Sequence, residues 1–174
     1  MPKSQSTNET PLPANWRHPA VFLATGFWAG RAPFAPGTVG ALWGLPLAWG
    51  LSFISPLWLQ AAVIVAICLA GIPICTIAAR QLGGLKDPGA IVLDEIVSLP
   101  ITFFLVPATK LQTGSLNTVV VYAVGFALHR LFDITKPPPA RQLERLPDGL
   151  GIMADDWAAG AFSCLALHAI LWSG

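Results

Sequence analysis

Asp94, Glu95, Arg130, Asp133, Asp155 and Asp156 stand inside or against strongly apolar stretches of this chain. An ionisable group at membrane depth costs roughly 2.5–3.5 kcal/mol on insertion scales and by default marks a functional site. Three segments carry these groups: IVLDEIVSL (91–99), HRLFDITKPPPAR (129–141) and DGLGIMADDWAAG (148–160). In the first, Asp94 and Glu95 offer the hard carboxylate oxygens that Mg²⁺ prefers. Adjacent helical residues point about 100° apart, so both can face a bundle interior only at its edge.

In the second segment Arg130 and Asp133 are three apart and share a helical face, with Lys136 three further on. Cation, carboxylate and cation in that order suit a phosphate held beside a metal, Arg as a bidentate fork and Lys as a point charge. Arg141, beyond the prolines, is a further phosphate candidate, whereas His129 reads as a structural histidine. In the third, Asp155-Asp156 opens a helix, where negative side chains complement the dipole. Gly149 and Gly151 permit a sharp turn or a close approach to a ligand, and Gly160 suits close helix packing. A fourth segment, GFWAGRAPFAPGTVGAL (26–42), is a glycine- and proline-rich loop. Backbone N–H groups near Gly37 and Thr38 at its helix start can cradle an anion, and Arg31 suits a phosphate or a lipid headgroup. It is not a Walker loop, because no Gly-Lys-Ser/Thr follows.

Hard oxygen ligands and cations beside apolar walls are the equipment for phosphoryl chemistry on a lipid. Mg²⁺ would neutralise and orient the phosphate and lower the pKa of an attacking water. Arg or Lys would stabilise charge on the equatorial oxygens. The cysteines, Cys68, Cys75 and Cys164, lie in apolar segments with no CxxC pair, which argues against a thiol nucleophile, a disulfide or a zinc site.

These groups need a scaffold, and the composition says which kind. Charged residues are 11% of the chain and hydrophobic residues 54%, against about 25% charged in a soluble domain. Residues 38–79 contain no Asp, Glu, Lys or Arg, which is length enough for two crossings of a hydrocarbon core at about 20 residues each. The expectation is an all-α, polytopic helical membrane protein with about five spans, at roughly 38–55, 57–79, 90–107, 116–134 and 152–173. Residues 19–30 are too short to span and predict an interfacial or re-entrant helix. Residues 1–16 predict a disordered lead unlike a signal peptide, and 17–174 a single domain. The formal net charge of +1 gives no pull toward nucleic acid.

Loop charges orient the spans. Lys3, Arg17, Arg31, Arg80, Lys86, Lys136, Arg141 and Arg145 fall on one side and only Lys110 on the other. The positive-inside rule places the richer side in the cytoplasm. Every carboxylate-bearing stretch then sits at the cytoplasmic mouth of its span, and distant segments converge on one site.

As a set, PFAPGTVGAL (33–42), LDEIVSL (93–99), HRLFDITKPPP (129–139) and DGLGIMADDWAAG (148–160) resemble the phosphatidylglycerophosphatase A family of bacterial membrane phosphatases. The resemblance covers nearly the whole chain from residue 20. It implies an all-helical fold and Mg²⁺-dependent removal of the terminal phosphate of phosphatidylglycerophosphate, a phospholipid of the cytoplasmic leaflet of the inner membrane. It also implies Asp94, Glu95, Asp133, Asp155 and Asp156 as metal or catalytic carboxylates, with Arg130 and Lys136 near phosphate. Ala41, Ser98 and Asp148 depart from the family pattern. Two readings compete. A small transporter or ion pathway would place its acids near span centres, and a scaffold with paired charges would lose stability more than activity when those acids are neutralised.

Overall fold

The computed structural model describes residues 14–84, 86–114 and 116–173; the lead expected over 1–16 lies outside them up to residue 13. Among the described residues all regular structure is helical. In chain order the helices are α1 (Pro19–Ala24), α2 (Pro36–Leu51), α3 (Leu57–Gln81), α4 (Leu93–Thr102), α5 (Ala108–Leu111), α6 (Leu116–Thr135), α7 (Ala140–Leu143) and α8 (Asp148–Ser173). A single 3-10 turn, Ala29–Arg31, lies between α1 and α2.

The charge-free run becomes α2 and α3. Pro36 opens α2, where its missing N–H costs nothing, and the link at Ser55-Pro56 separates the two helices. Among the described residues three helices are long and apolar enough to cross a membrane: α3, the Asn117–Thr135 portion of α6, and the Asp148–Trp172 portion of α8. The other two of the five expected spans fall short of that length. α2 has 16 residues, about 24 Å of helix, and α4 has 10, about 15 Å, against a hydrocarbon core of about 30 Å. α4 stops at Thr102 because the following chain turns through Leu105, at φ 67°, into Pro107. The patch at 19–30 forms only α1 and the 3-10 turn, as its length requires.

α4 is the hub. It packs against α2, α3, α6 and α8, and α8 in turn packs against α3, α6 and α7. Small residues let these helices approach. A Cβ at Gly40 of α2 would collide with the Val92 side chain just before α4, and Val92 is itself tied by its N–H to the Ala24 carbonyl at 2.9 Å. One apolar core joins Val21, Cys75, Ala78 and Met153, and another joins Leu99, Phe103, Leu111 and Leu167. The three cysteines are free thiols.

The outer surface is apolar: Leu165 is 71% exposed, Val119 60% and Leu69 54%. Such a surface fits hydrocarbon and not water. α2 leaves the end of the bundle that holds the acidic segments, and Gln112, past α5, donates from its side chain to the Ser52 carbonyl at 2.7 Å at the far end.

Gly40→Val should lower the stability of the purified protein in detergent by about 1–3 kcal/mol, because the α2–α4 contact cannot take the added carbons without moving backbone. An unchanged thermal unfolding midpoint would refute that contact.

Candidate active site

α4 begins at the rim of the bundle, and its first turn carries Asp94 and Glu95, where the helix dipole favours negative charge. Their divergent directions are both used. Glu95 faces α6, with Oε1 3.5 Å from an Arg130 guanidinium nitrogen. Asp94 faces α8, and oxygens of Asp94, Glu95 and Asp156 all lie within 4.8 Å of one another.

The C-terminal part of α6 and the residue after it supply the cations, Arg130 and Lys136. Arg130 donates to Asp133 in a very close contact and also reaches Glu95, so one guanidinium bridges two carboxylates from two helices. The adjoining His129 is fully buried, with Nε2 3.3 Å from Ser98 Oγ and Nδ1 3.4 Å from Thr102 Oγ1. Both ring nitrogens are engaged by α4, which fits the structural role expected of it.

Lys136 leaves the helix at φ 43°, a conformation that costs an L-residue about 1–2 kcal/mol. The following proline bars Lys136 from continuing the helix. The turn sends Nζ back to Asp155 Oδ2 at 2.7 Å and Glu144 Oε2 at 3.5 Å. Burial disfavours the ammonium, but the hydrogen bond and charge of Asp155, then Glu144 and Asp133, outweigh it. The Lys136 pKa is held above the ordinary lysine value, and the group stays a cation through neutral pH.

α8 contributes Asp155 and Asp156, both buried. Asp156 also adjoins Asp133. The glycines that precede them serve helix packing: a Cβ at Gly149 would strike the Ile72 carbonyl and Thr76 of α3, and the Gly149 N–H bonds Thr76 Oγ1 at 2.9 Å. Gly160 rests on Ile101 and the Ser98 carbonyl of α4, the close packing expected of it.

Asp94, Glu95, Asp133, Asp155 and Asp156 thus meet at one end of the bundle with Arg130 and Lys136. Two cations leave a surplus of negative charge centred on Asp94 and Asp156. Oδ1 of Asp94, Oε2 of Glu95, Oδ1 of Asp155 and Oδ2 of Asp156 are buried without a hydrogen-bond partner. Buried carboxylate oxygens are very costly when unpaired. An all-oxygen set of this kind fits a hard divalent cation, and Asp94, Glu95 and Asp156 could hold one.

Three expected phosphate ligands stand outside this knot. Arg31 is exposed, with its guanidinium 5.2 Å from the centre of the Trp16 ring. Arg141 is exposed on α7 and makes no ion pair among the described residues. Thr38 is half-buried in the first turn of α2. Its neighbour Gly37 is closer to the chemistry: a Cβ there would collide with Glu95 Oε1 and crowd Arg130. The loop therefore meets the site through a bare backbone. Glu144 went unseen in the sequence, because nothing in its polar loop signals a return to Lys136. Asp148, an unexplained departure, pairs with Arg80 at 3.4 Å on the surface.

The family described as phosphatidylglycerophosphatase A matches residues 22–171. A Bacteroides thetaiotaomicron protein with the provisional name phosphatidylinositol-3-phosphatase is 38% identical over 159 residues, covering 87% of this chain and 93% of its own. Proteins named phosphatidylglycerophosphatase A are similar too. The one from Escherichia coli K12 is 34% identical over 88% of this chain and 84% of its own. The one from Haemophilus influenzae is 36% identical over 88% and 89%. No solved structure matches this chain.

If Arg130 holds Glu95 and Asp133 apart from bulk water, a double-mutant cycle of Arg130→Met and Glu95→Gln should show a coupling energy of about 1 kcal/mol or more in thermal unfolding. Additive losses would mean that the bridge does not form.

Proposed function

Because the chain belongs to the phosphatidylglycerophosphatase A family, we propose that it hydrolyses the terminal phosphomonoester of phosphatidylglycerophosphate, releasing phosphatidylglycerol and phosphate. The observation that carries this reading is the set of partnerless buried carboxylate oxygens, on α4 and α8, beside two cations at the mouth of apolar helices.

Asp94, Glu95 and Asp156, with Asp133 and Asp155 beside them, would hold Mg²⁺, which when bound supplies charge neutralisation for the phosphate and a lowered pKa for water. Arg130 is placed to fork two phosphate oxygens, and Lys136 to meet a third as a point charge. The incoming anion would relax the hold of Arg130 on Glu95 and Asp133, so the resting ion pairs keep the cations oriented before substrate arrives. A carboxylate of the group takes the proton of the attacking water. The oxygen of that water bonds to phosphorus as the phosphorus–ester oxygen bond breaks, and the glycerol oxygen leaves with a proton. The apolar helix walls exclude competing water, which strengthens each of these interactions. Thr38, Arg31 and Arg141 would meet the headgroup at the rim and not the reacting phosphorus.

We read five passages through the bilayer, α2, α3, the broken α4–α5 segment, α6 and α8, with the site facing the cytoplasm of a bacterial inner membrane. Support comes from the basic residues Arg17, Arg31, Arg80, Lys86, Arg141 and Arg145, which flank the site end, while Lys110 lies at the other. The ion-pathway alternative is disfavoured by the same placement, because its acids would sit at mid-depth. The Bacteroides relative supplies a competing headgroup, phosphatidylinositol 3-phosphate.

The purified protein should release phosphate from phosphatidylglycerophosphate only with Mg²⁺ present. It should act on phosphatidylinositol 3-phosphate at least about tenfold more slowly in kcat/KM. Asp94→Asn and Asp156→Asn should each lower kcat by about 10³-fold or more with helicity and melting preserved. Full activity in a chelator would remove the cation from the reading, and active Asn variants would remove the site.

A further inference from the structure

The carboxylate site accounts for a headgroup and leaves the lipid tails unplaced. Two apolar grooves run down the bundle. The larger, about 690 Å³, lies between α2 and α6. Leu42, Leu45 and Trp49 line its α2 wall, and Val119, Ala123 and Phe126 its α6 wall. Both walls lead to the site. Gly37, in the first turn of α2, lies against Glu95, and Arg130 stands five residues before the end of α6. Phe126 is four residues before Arg130, about 6 Å along the helix, and Leu42 is five after Gly37, about 8 Å. The groove therefore begins within about 8 Å, measured along its two helices, of the level of the Glu95–Arg130 pair.

The smaller groove, about 290 Å³, is lined by Leu69 of α3, by Phe104 just after α4 and by Trp157 of α8, among others. Its α8 wall holds Trp157, next to Asp156 in the chain, but no residue of its lining adjoins Arg130 or Lys136, and its α3 wall runs toward Arg80, whose partner is Asp148 on the surface.

Resting on the function read above, we propose that the α2–α6 groove is a binding subsite for one acyl chain of the lipid being hydrolysed. The headgroup anion is drawn to Arg130 and Lys136, and the bilayer fixes the direction of the tails. A lipid whose terminal phosphate meets Arg130, with its glycerophosphate linker lying at headgroup level, lays a chain into the groove past Ala123 toward Val119 and Trp49. The small side chain of Ala123 leaves the middle of the groove open. Chain binding away from the reacting centre then adds affinity that is the same before and at the transition state.

Ala123 is exposed, so Ala123→Trp fills the groove without entering the core. In mixed micelles this variant should raise the apparent KM for a dipalmitoyl phosphatidylglycerophosphate about tenfold, with kcat near that of the parent protein, the sign of lost uniform binding. It should change turnover of the dihexanoyl form much less, because a six-carbon tail has little chain to seat in the groove. Val119→Trp, deeper in the groove, should give the same split and guards against one variant misfolding. Leu69→Trp, in the other groove, should alter neither substrate. Parent-like KM for the long-chain lipid in both groove variants, or equal losses on long and short chains, would overturn the subsite. Failure of the unsubstituted protein on both substrates would instead overturn the phosphatase reading and the subsite with it.

Discussion

The structure depends on the mutual repulsion of carboxylates that the fold nevertheless buries together. Asp94 from α4 and Asp156 from α8 have no cation of their own, and each presents an oxygen to the interior with no partner. Burying charge without pairing is among the costliest arrangements in a protein. Arg130 and Lys136 offset only part of it, so the bundle is built around a deficit of positive charge that a divalent cation would fill. The apolar helices hold the acids at fixed separation and deny them the solvation that would make the cluster inert.

The position of α4 follows from that need. A ten-residue helix wedged among α2, α3, α6 and α8 presents its first turn at the rim, where two neighbouring residues about 100° apart reach different partners. Gly37 has a matching role on the opposite wall, since only a residue without a side chain can stand against Glu95 there. His129, clamped by Ser98 and Thr102, fixes the rotation of α6 against α4 and so aims the next residue, Arg130, at its acids. The site thus gathers the first turn of α4, the C-terminal part of α6 and the second and third turns of α8, and Lys136 comes from the place where α6 must stop, ahead of three prolines.

Much of this was legible in the sequence because the bilayer simplifies the code. An acid in an apolar run is conspicuous, and the distribution of Lys and Arg placed all five acids at one end before any coordinate did. Arg130 and Asp133 were readable from a spacing of three. The lengths of α2 and α4 were not, because hydropathy continues past the point where the chain turns at Leu105. Glu144, and the contact of Gly37 with Glu95, escaped for a different reason. A polar loop and a glycine carry no periodicity, and their contacts with Lys136 and Glu95 arise only from the way α7 and α2 dock. Arg31 and Arg141 were drawn in by charge alone, and the fold leaves them at the rim.

The most direct measurement of the central claim is the thermal unfolding midpoint of the detergent-purified protein across a Mg²⁺ titration, with Asp156→Asn alongside. A cation that binds only the folded cluster adds stability by mass action, about 2.7 kcal/mol at a hundredfold excess over its dissociation constant. The account predicts a saturable rise in the parent protein that is lost or shifted to much higher Mg²⁺ in the variant. A midpoint indifferent to Mg²⁺, or one that rises equally in both proteins, would mean that these acids do not share an ion.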